Sequence, residues 1–173
     1  MKRVKVAVLL LAASGASLAC DATGAFGFEF GKPVPKEANG PMIGGSGMGC
    51  VDGVVPAPAA FFDNYAYCAN RDRKFVYAIE ASRVYADGRV LDADKPDAEE
   101  MYAKARAAIA EIKAEWEKKF GFVYEKVYEH GLHWEARTPT VSSTIMVMGP
   151  RVVVDCTNQA LQSKAMGIAI KSL

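Results

Sequence analysis

The strongest periodic pattern of apolar and polar positions in this chain runs from residue 96 to residue 120. Apolar side chains recur there at spacings of three and four residues, the period of one face of an α-helix: Tyr102, Ala105, Ile109, Ile112, Trp116 and Phe120. Pro96 suits a first helical turn, and Gly121 suits the position just after the last one. The spacing predicts one long amphipathic helix, which needs an apolar surface to pack against.

Segments rich in β-branched and aromatic residues stand on both sides of this helix. One precedes it and four follow it, separated by short turns with glycine or proline: residues 73–85, 122–129, 132–137, 141–148 and 151–155. Turns this short join antiparallel strands, because parallel strands need a long crossover. The predicted fold is α+β, an antiparallel sheet of about five to seven strands with the helix packed on one face.

Three weaker patterns complete the predicted domain, which spans residues 20–173. Phe26, Phe28 and Phe30 alternate with small or polar residues, which predicts one short strand. Asp87-Gly88 predicts a hairpin turn, and residues 158–170 predict a short closing helix. Residues 39–60 are punctuated by glycine and proline, so we expect them to form a loop.

The first 19 residues have the three-part order of a cleavable export signal. Lys2, Arg3 and Lys5 form a basic end, residues 6–13 are apolar, and small residues follow. The apolar run is much shorter than the ~20 residues that span a bilayer. The sequence predicts a signal peptide at residues 1–19 and an exported protein, either periplasmic or secreted.

The mature N-terminus depends on Cys20, and three alternatives are open. Cleavage just before Cys20 follows the small-x-small pattern of Ser17 and Ala19. The position of Cys20 also resembles a bacterial lipoprotein signal, although Ser17 stands where that pattern has leucine and Leu18 where it has a small residue. Cleavage after Ala22 removes the cysteine altogether. Lipidation of Cys20 is the one route by which we expect the protein to reach a membrane.

Four cysteines in a chain bound for an oxidising compartment predict disulfides, and four cysteines permit three pairings. We favour Cys50–Cys68, because this bridge encloses the Gly/Pro-rich loop. Closing a loop of that length contributes ~3 kcal/mol in the chain-entropy model. Cys20–Cys156 then forms if Cys20 remains unlipidated in the mature chain.

Charge and short motifs exclude several classes of function. The net charge of +1 favours neither nucleic acid nor an acidic membrane surface. The glycine run at residues 44–49 lacks the Gly-Lys-Ser/Thr ending of a phosphate-binding loop. Ser46 lacks the second glycine of a nucleophile elbow. We therefore expect no cofactor and no catalytic residue from these patterns.

His130 and His133 are the one candidate for metal chemistry, with Glu129 and Glu135 beside them. Positions i and i+3 of a strand point to opposite faces, so both rings converge only if Gly131 makes a tight turn. The sequence predicts a non-enzymatic binding domain for a protein or envelope component of the bacterial envelope or periplasm. It would use the sheet face or the 39–60 loop. The alternative is a small exported metal-binding protein or enzyme that uses the two histidines.

Overall fold

The computed structural model describes residues 20–36, 48–53, 55–85, 89, 91–92, 94–128 and 130–167. The predicted signal peptide lies outside these residues. The described part of the chain forms nine strands and two helices: β1 (Gly24–Ala25), β2 (Phe28–Glu29), β3 (Met48–Asp52), β4 (Asn64–Asn70), β5 (Val76–Val84), α1 (Ala98–Phe120), β6 (Glu125–Lys126), β7 (His133–Arg137), β8 (Val141–Met148), β9 (Arg151–Asn158) and α2 (Gln159–Ala165).

Seven of these strands form one antiparallel sheet in the order β3-β4-β5-β9-β8-β7-β6. The first three strands form one meander, and the last four form a second. Helix α1 connects them by carrying the chain from β5 to the far edge of the sheet. Strand β9 then closes the sheet by pairing with β5. The predicted α+β fold with a long helix on an antiparallel sheet is confirmed.

Helix α1 packs against the sheet through one apolar stripe. Its buried residues are Met101, Ala105, Ile109, Ile112 and Trp116. Tyr102 and Phe120, which the pattern also predicted, are only partly buried at the margins of the stripe. The helix ends as expected, because Gly121 adopts φ 68° and donates its N–H to Glu117 O. No described helix is both long and apolar enough to span a membrane.

The aromatic segment near the N-terminus is a hairpin and not the single strand that we expected. Strands β1 and β2 pair antiparallel, and the two turn residues, Phe26 and Gly27, have φ values of 49° and 83°. Phe26 tolerates this unusual backbone because its ring is buried against Phe62, Tyr65 and Trp116. Both Phe26, in the turn, and Phe28, on β2, are therefore buried.

Part of the predicted 39–60 loop is an edge strand. Residues 48–52 form β3, and Cys50 is the direct register partner of Cys68 on β4. These two cysteines form a disulfide with a Cα–Cα distance of 4.0 Å. Residues 37–47 and 54 lie outside the described residues. The hairpin predicted at residues 87–88 also lies outside them, and Arg89 and Leu91 belong to no strand.

A second disulfide joins Cys20 to Cys156 on β9. Both cysteines are 1% exposed, within the core between the sheet and α1. The N-terminal arm is thereby attached to a central strand of the sheet. The cysteines of the described structure are thus all paired.

Candidate functional site

The sheet has two chemically different faces because side chains alternate along each strand. The covered face packs against α1 and carries fully buried residues such as Ile79, Ile145 and Val154. The opposite face is polar over most of its area, and we call it the open face. Helix α2 covers one end of it by packing Leu161 and Ala165 against a small cluster that includes Tyr77.

A row of carboxylates crosses the open face, and its members come from β3, β5, β9, β7 and β6: Asp52, Glu80, Asp155, Glu135 and Glu125. Strand pairing aligns the first three through Ala66, and pairing between Glu125 and Glu135 aligns the last two. The Thr144 N–H donates to Asp155 Oδ1 at 2.7 Å and joins the two halves of the row. Five acidic groups therefore lie within one line of the sheet.

The centre of this acidic row has unusual proton affinity. Burial, together with the negative charges of Glu80 and Glu135, raises the pKa of Asp155 to about 7, although hydrogen bonding to Thr144 opposes the shift. Burial also raises the pKa of Glu80, with a contribution from Asp52. The row is consequently a pH-sensitive feature of the sheet. Its geometry alone identifies no ligand.

A groove lies on the other side of the sheet, between one flank of α1 and the turn that joins β6 to β7. Its volume is about 590 Å³. We call it the helix–hairpin groove and define it by its lining residues: Arg106, Ile109, Ala110, Lys113, Lys126, His130, Gly131 and Trp134. Pockets of ~300–1,000 Å³ accommodate small ligands, so the groove has a suitable size.

Trp134 forms the aromatic wall of the helix–hairpin groove. Its Nε1–H donates to Gly131 O at 3.1 Å, which fixes the indole against the turn. Lys113 Nζ lies 5.1 Å from the ring centroid, within the range of a cation–π contact. Lys113 also forms an ion pair with Glu117 at 2.8 Å. The indole is thus held in one orientation beside a positive charge.

The helix–hairpin groove is positively charged. Arg106 pairs with Glu99, which lies outside the groove, at 2.7 Å. Lys126 is exposed and forms no ion pair with a described residue. None of the described lining residues is acidic. The local field therefore favours an anion.

Of the two predicted metal ligands, His130 lines the groove, whereas His133 lies on the other face of β7 with its Nε2 3.4 Å from Glu135 Oε1. Gly131 makes the required turn with φ 72°, and both imidazole rings lie 5.5 Å from the ring of Tyr128. His130 Nδ1 accepts the Leu132 N–H at 3.1 Å. Among the described residues, no group of three His, Cys, Asp or Glu side chains is arranged to hold a metal ion. The described residues thus supply no third ligand for a metal ion at His130 and His133, and Glu129 lies outside them.

Most of the groove was not predicted from the sequence. One signal was present: residues 106, 109, 110 and 113 are spaced by three and four, which defines a second stripe beside the core stripe of α1. Lys126 and Trp134 carry no such signal, because strand pairing alone makes them neighbours.

Comparisons with known proteins return no relative. No family model matches the chain, and neither a curated protein nor a solved structure matches it. The functional interpretation therefore rests on the geometry and chemistry of the described residues.

Proposed function

We propose that this protein is an exported, non-enzymatic binding domain of the bacterial envelope or periplasm, and that its ligand site is the helix–hairpin groove. The observation that carries this proposal is the groove itself. It combines a volume of about 590 Å³ with an aromatic wall, apolar helix residues and three cationic side chains. Largely apolar concave surfaces with a few polar groups are the usual form of ligand sites.

Export is supported by the two disulfides, since such bonds persist in oxidising compartments. The Cys20–Cys156 bond also restricts how the N-terminus of the chain can be cleaved and modified. A lipid thioether would use the same Cys20 sulfur that the disulfide uses, so the two modifications are incompatible. Cleavage after Ala22 would remove the bond. The proposal therefore includes a mature chain that keeps Cys20 and carries no lipid on it.

Binding is supported over catalysis by the character of the groove residues. Trp134 offers a flat apolar surface for stacking, and the flanking cations offer positive charge. Both features hold a ligand without reacting with it. The one imidazole in the lining, that of His130, already accepts a backbone N–H at Nδ1. These groups are arranged to hold a molecule rather than to transfer a proton between partners.

The proposal is tested by locating the binding of small molecules on the folded, disulfide-bonded protein. A fragment library is added to the ¹⁵N-labelled protein, and amide shift changes are mapped. We expect them to cluster at residues 106–113 and 126–134. Ala110→Trp fills the groove and should remove these changes, whereas Ala103→Trp, at an exposed position of α1 outside the lining, should retain them. Shift changes that cluster elsewhere would contradict the proposal.

A further inference from the structure

We infer that the ligand of the helix–hairpin groove is an anion with a flat apolar body, such as an aromatic sulfonate, carboxylate or phosphate. This inference rests on the proposed function, because it names the class of molecule that the groove binds. It follows from two independent properties of the lining. One is the imbalance of charge, and the other is the position of the indole.

The charge imbalance centres on Lys126. Arg106 and Lys113 each have a carboxylate partner outside the lining, at 2.7 and 2.8 Å. Lys126 has none among the described residues, so its ammonium group is available to a ligand. A cationic ligand would be repelled by these three positive side chains, whereas an anionic ligand is attracted by them.

The indole determines the shape of the ligand body. Trp134 is partly buried against the core, and its ring forms one wall of the groove. Ile109 and Ala110 on α1 contribute apolar surface to the same space. A planar apolar group can stack on the indole while it covers these side chains. The register pairing of Lys126 with Trp134 places the Lys126 side chain next to the stacking surface.

The size of the expected charge effect is modest because the groove is open to solvent. A solvent-exposed ion pair contributes up to ~1 kcal/mol, which corresponds to about a fivefold change in affinity. Salt weakens such an interaction because it screens exposed charges. An anionic ligand should therefore bind about fivefold more tightly than a neutral molecule of the same shape, and the difference should shrink at high salt.

A pair of matched probes tests the inference on the disulfide-bonded protein. Naphthalene-2-sulfonate and neutral naphthalene-2-methanol are titrated while the Trp134 indole N–H signal is followed by NMR. We expect the sulfonate to bind about fivefold more tightly at low salt. Lys126→Gln should remove most of this advantage, because Arg106 and Lys113 already have carboxylate partners. Lys118→Gln, which removes an exposed lysine of α1 outside the lining, should preserve it.

The outcomes distinguish a failure of this inference from a failure of the proposed function. Equal affinity for the two probes, with shifts in the groove, overturns the anionic preference and leaves the groove as a binding site. Tighter binding of the cation 2-naphthylmethylammonium overturns it in the same way. Shifts confined to other surfaces, or no binding by any probe, overturn both the inference and the assignment of the groove as a site for flat apolar ligands.

Discussion

Glu80 and Asp155 are direct register partners on adjacent antiparallel strands, and both side chains point to the open face. Cβ atoms of such partners are ~4.5–5.5 Å apart, and like charges in this arrangement are destabilising. The protein accommodates the pair by holding a proton. Burial raises the pKa of Asp155 to about 7, so this residue is protonated in the folded state at mildly acidic pH.

Replacing Asp155 by Asn should stabilise the protein, and more so at pH 8 than at pH 5. The folded-state pKa of about 7 lies above the ordinary value of 3.8, so the folded protein binds a proton that the unfolded chain has released. Asp155 therefore reduces stability progressively as the pH rises from about 4 to 7, and the full penalty persists above that range. Asn removes the charge and keeps an acceptor for the Thr144 N–H.

Thermal unfolding at pH 5 and pH 8 measures this effect. We expect Asp155→Asn to raise the melting temperature by at least ~2 °C at pH 8 and by less at pH 5. Asp72→Asn is the control, because this carboxylate is 63% exposed and lies outside the row. A gain that is equal at both pH values would contradict the assigned proton affinity.

The two disulfides should contribute unequally to stability. Cys20–Cys156 closes a sequence separation of 136 residues, and Cys50–Cys68 closes one of 18. The chain-entropy model gives ~5 kcal/mol for the longer loop and ~3 kcal/mol for the shorter one. The double variant C20A/C156A should therefore unfold at lower urea concentration than C50A/C68A. The reverse order would show that strain or residual structure outweighs loop entropy.

The proposed function requires a mature protein whose mass corresponds to a chain that begins at Cys20. Without reduction, it should be lower than the reduced mass by four hydrogens, because both disulfides are intact. Alkylation before reduction should label no thiol. An added diacylglycerol mass, together with an alkylated Cys156, would exclude the Cys20–Cys156 bond in the native protein.

Gly24→Ala should destabilise the N-terminal hairpin. A Cβ atom at residue 24 would lie 1.8 Å from Phe28 O, and this backbone atom cannot move without disrupting the pairing of β1 with β2. We expect a loss of at least ~2 kcal/mol in the free energy of unfolding. Gly53→Ala is the matched control, since nothing lies within 4 Å of its added Cβ. The control should change stability by less than ~0.5 kcal/mol, and similar losses for the two variants would contradict the steric argument.

Local periodicity was sufficient to predict the elements that bury one regular stripe. Four of the five buried positions of α1, all except Met101, and the bounds of β8 follow directly from the spacing of apolar residues. Strand β3 was missed because its neighbourhood is rich in glycine, and its strand conformation depends on pairing with β4. The hairpin at residues 24–29 was missed because a phenylalanine occupies a left-handed turn position.

The acidic row and the helix–hairpin groove required the strand register. Asp52 and Asp155 are far apart in the chain and come into one line through the order β3-β4-β5-β9. Arg106 and Trp134 likewise meet because α1 crosses to the edge of the sheet where β6 and β7 pair. No local pattern contains that information, so these features could not be predicted from the sequence.

The position of β9 has a consequence for how the chain reaches its folded state. This strand is the last of the nine in the described chain, yet it lies between β5 and β8 at the middle of the sheet. Until it has been synthesised, β5 and β8 lack the strand that pairs with both of them, and the core beneath α1 cannot close. The complete sheet can therefore form only late in the synthesis of the chain. That late completion is compatible with the export that we propose, in which the chain crosses a membrane before it folds and before Cys156 meets Cys20.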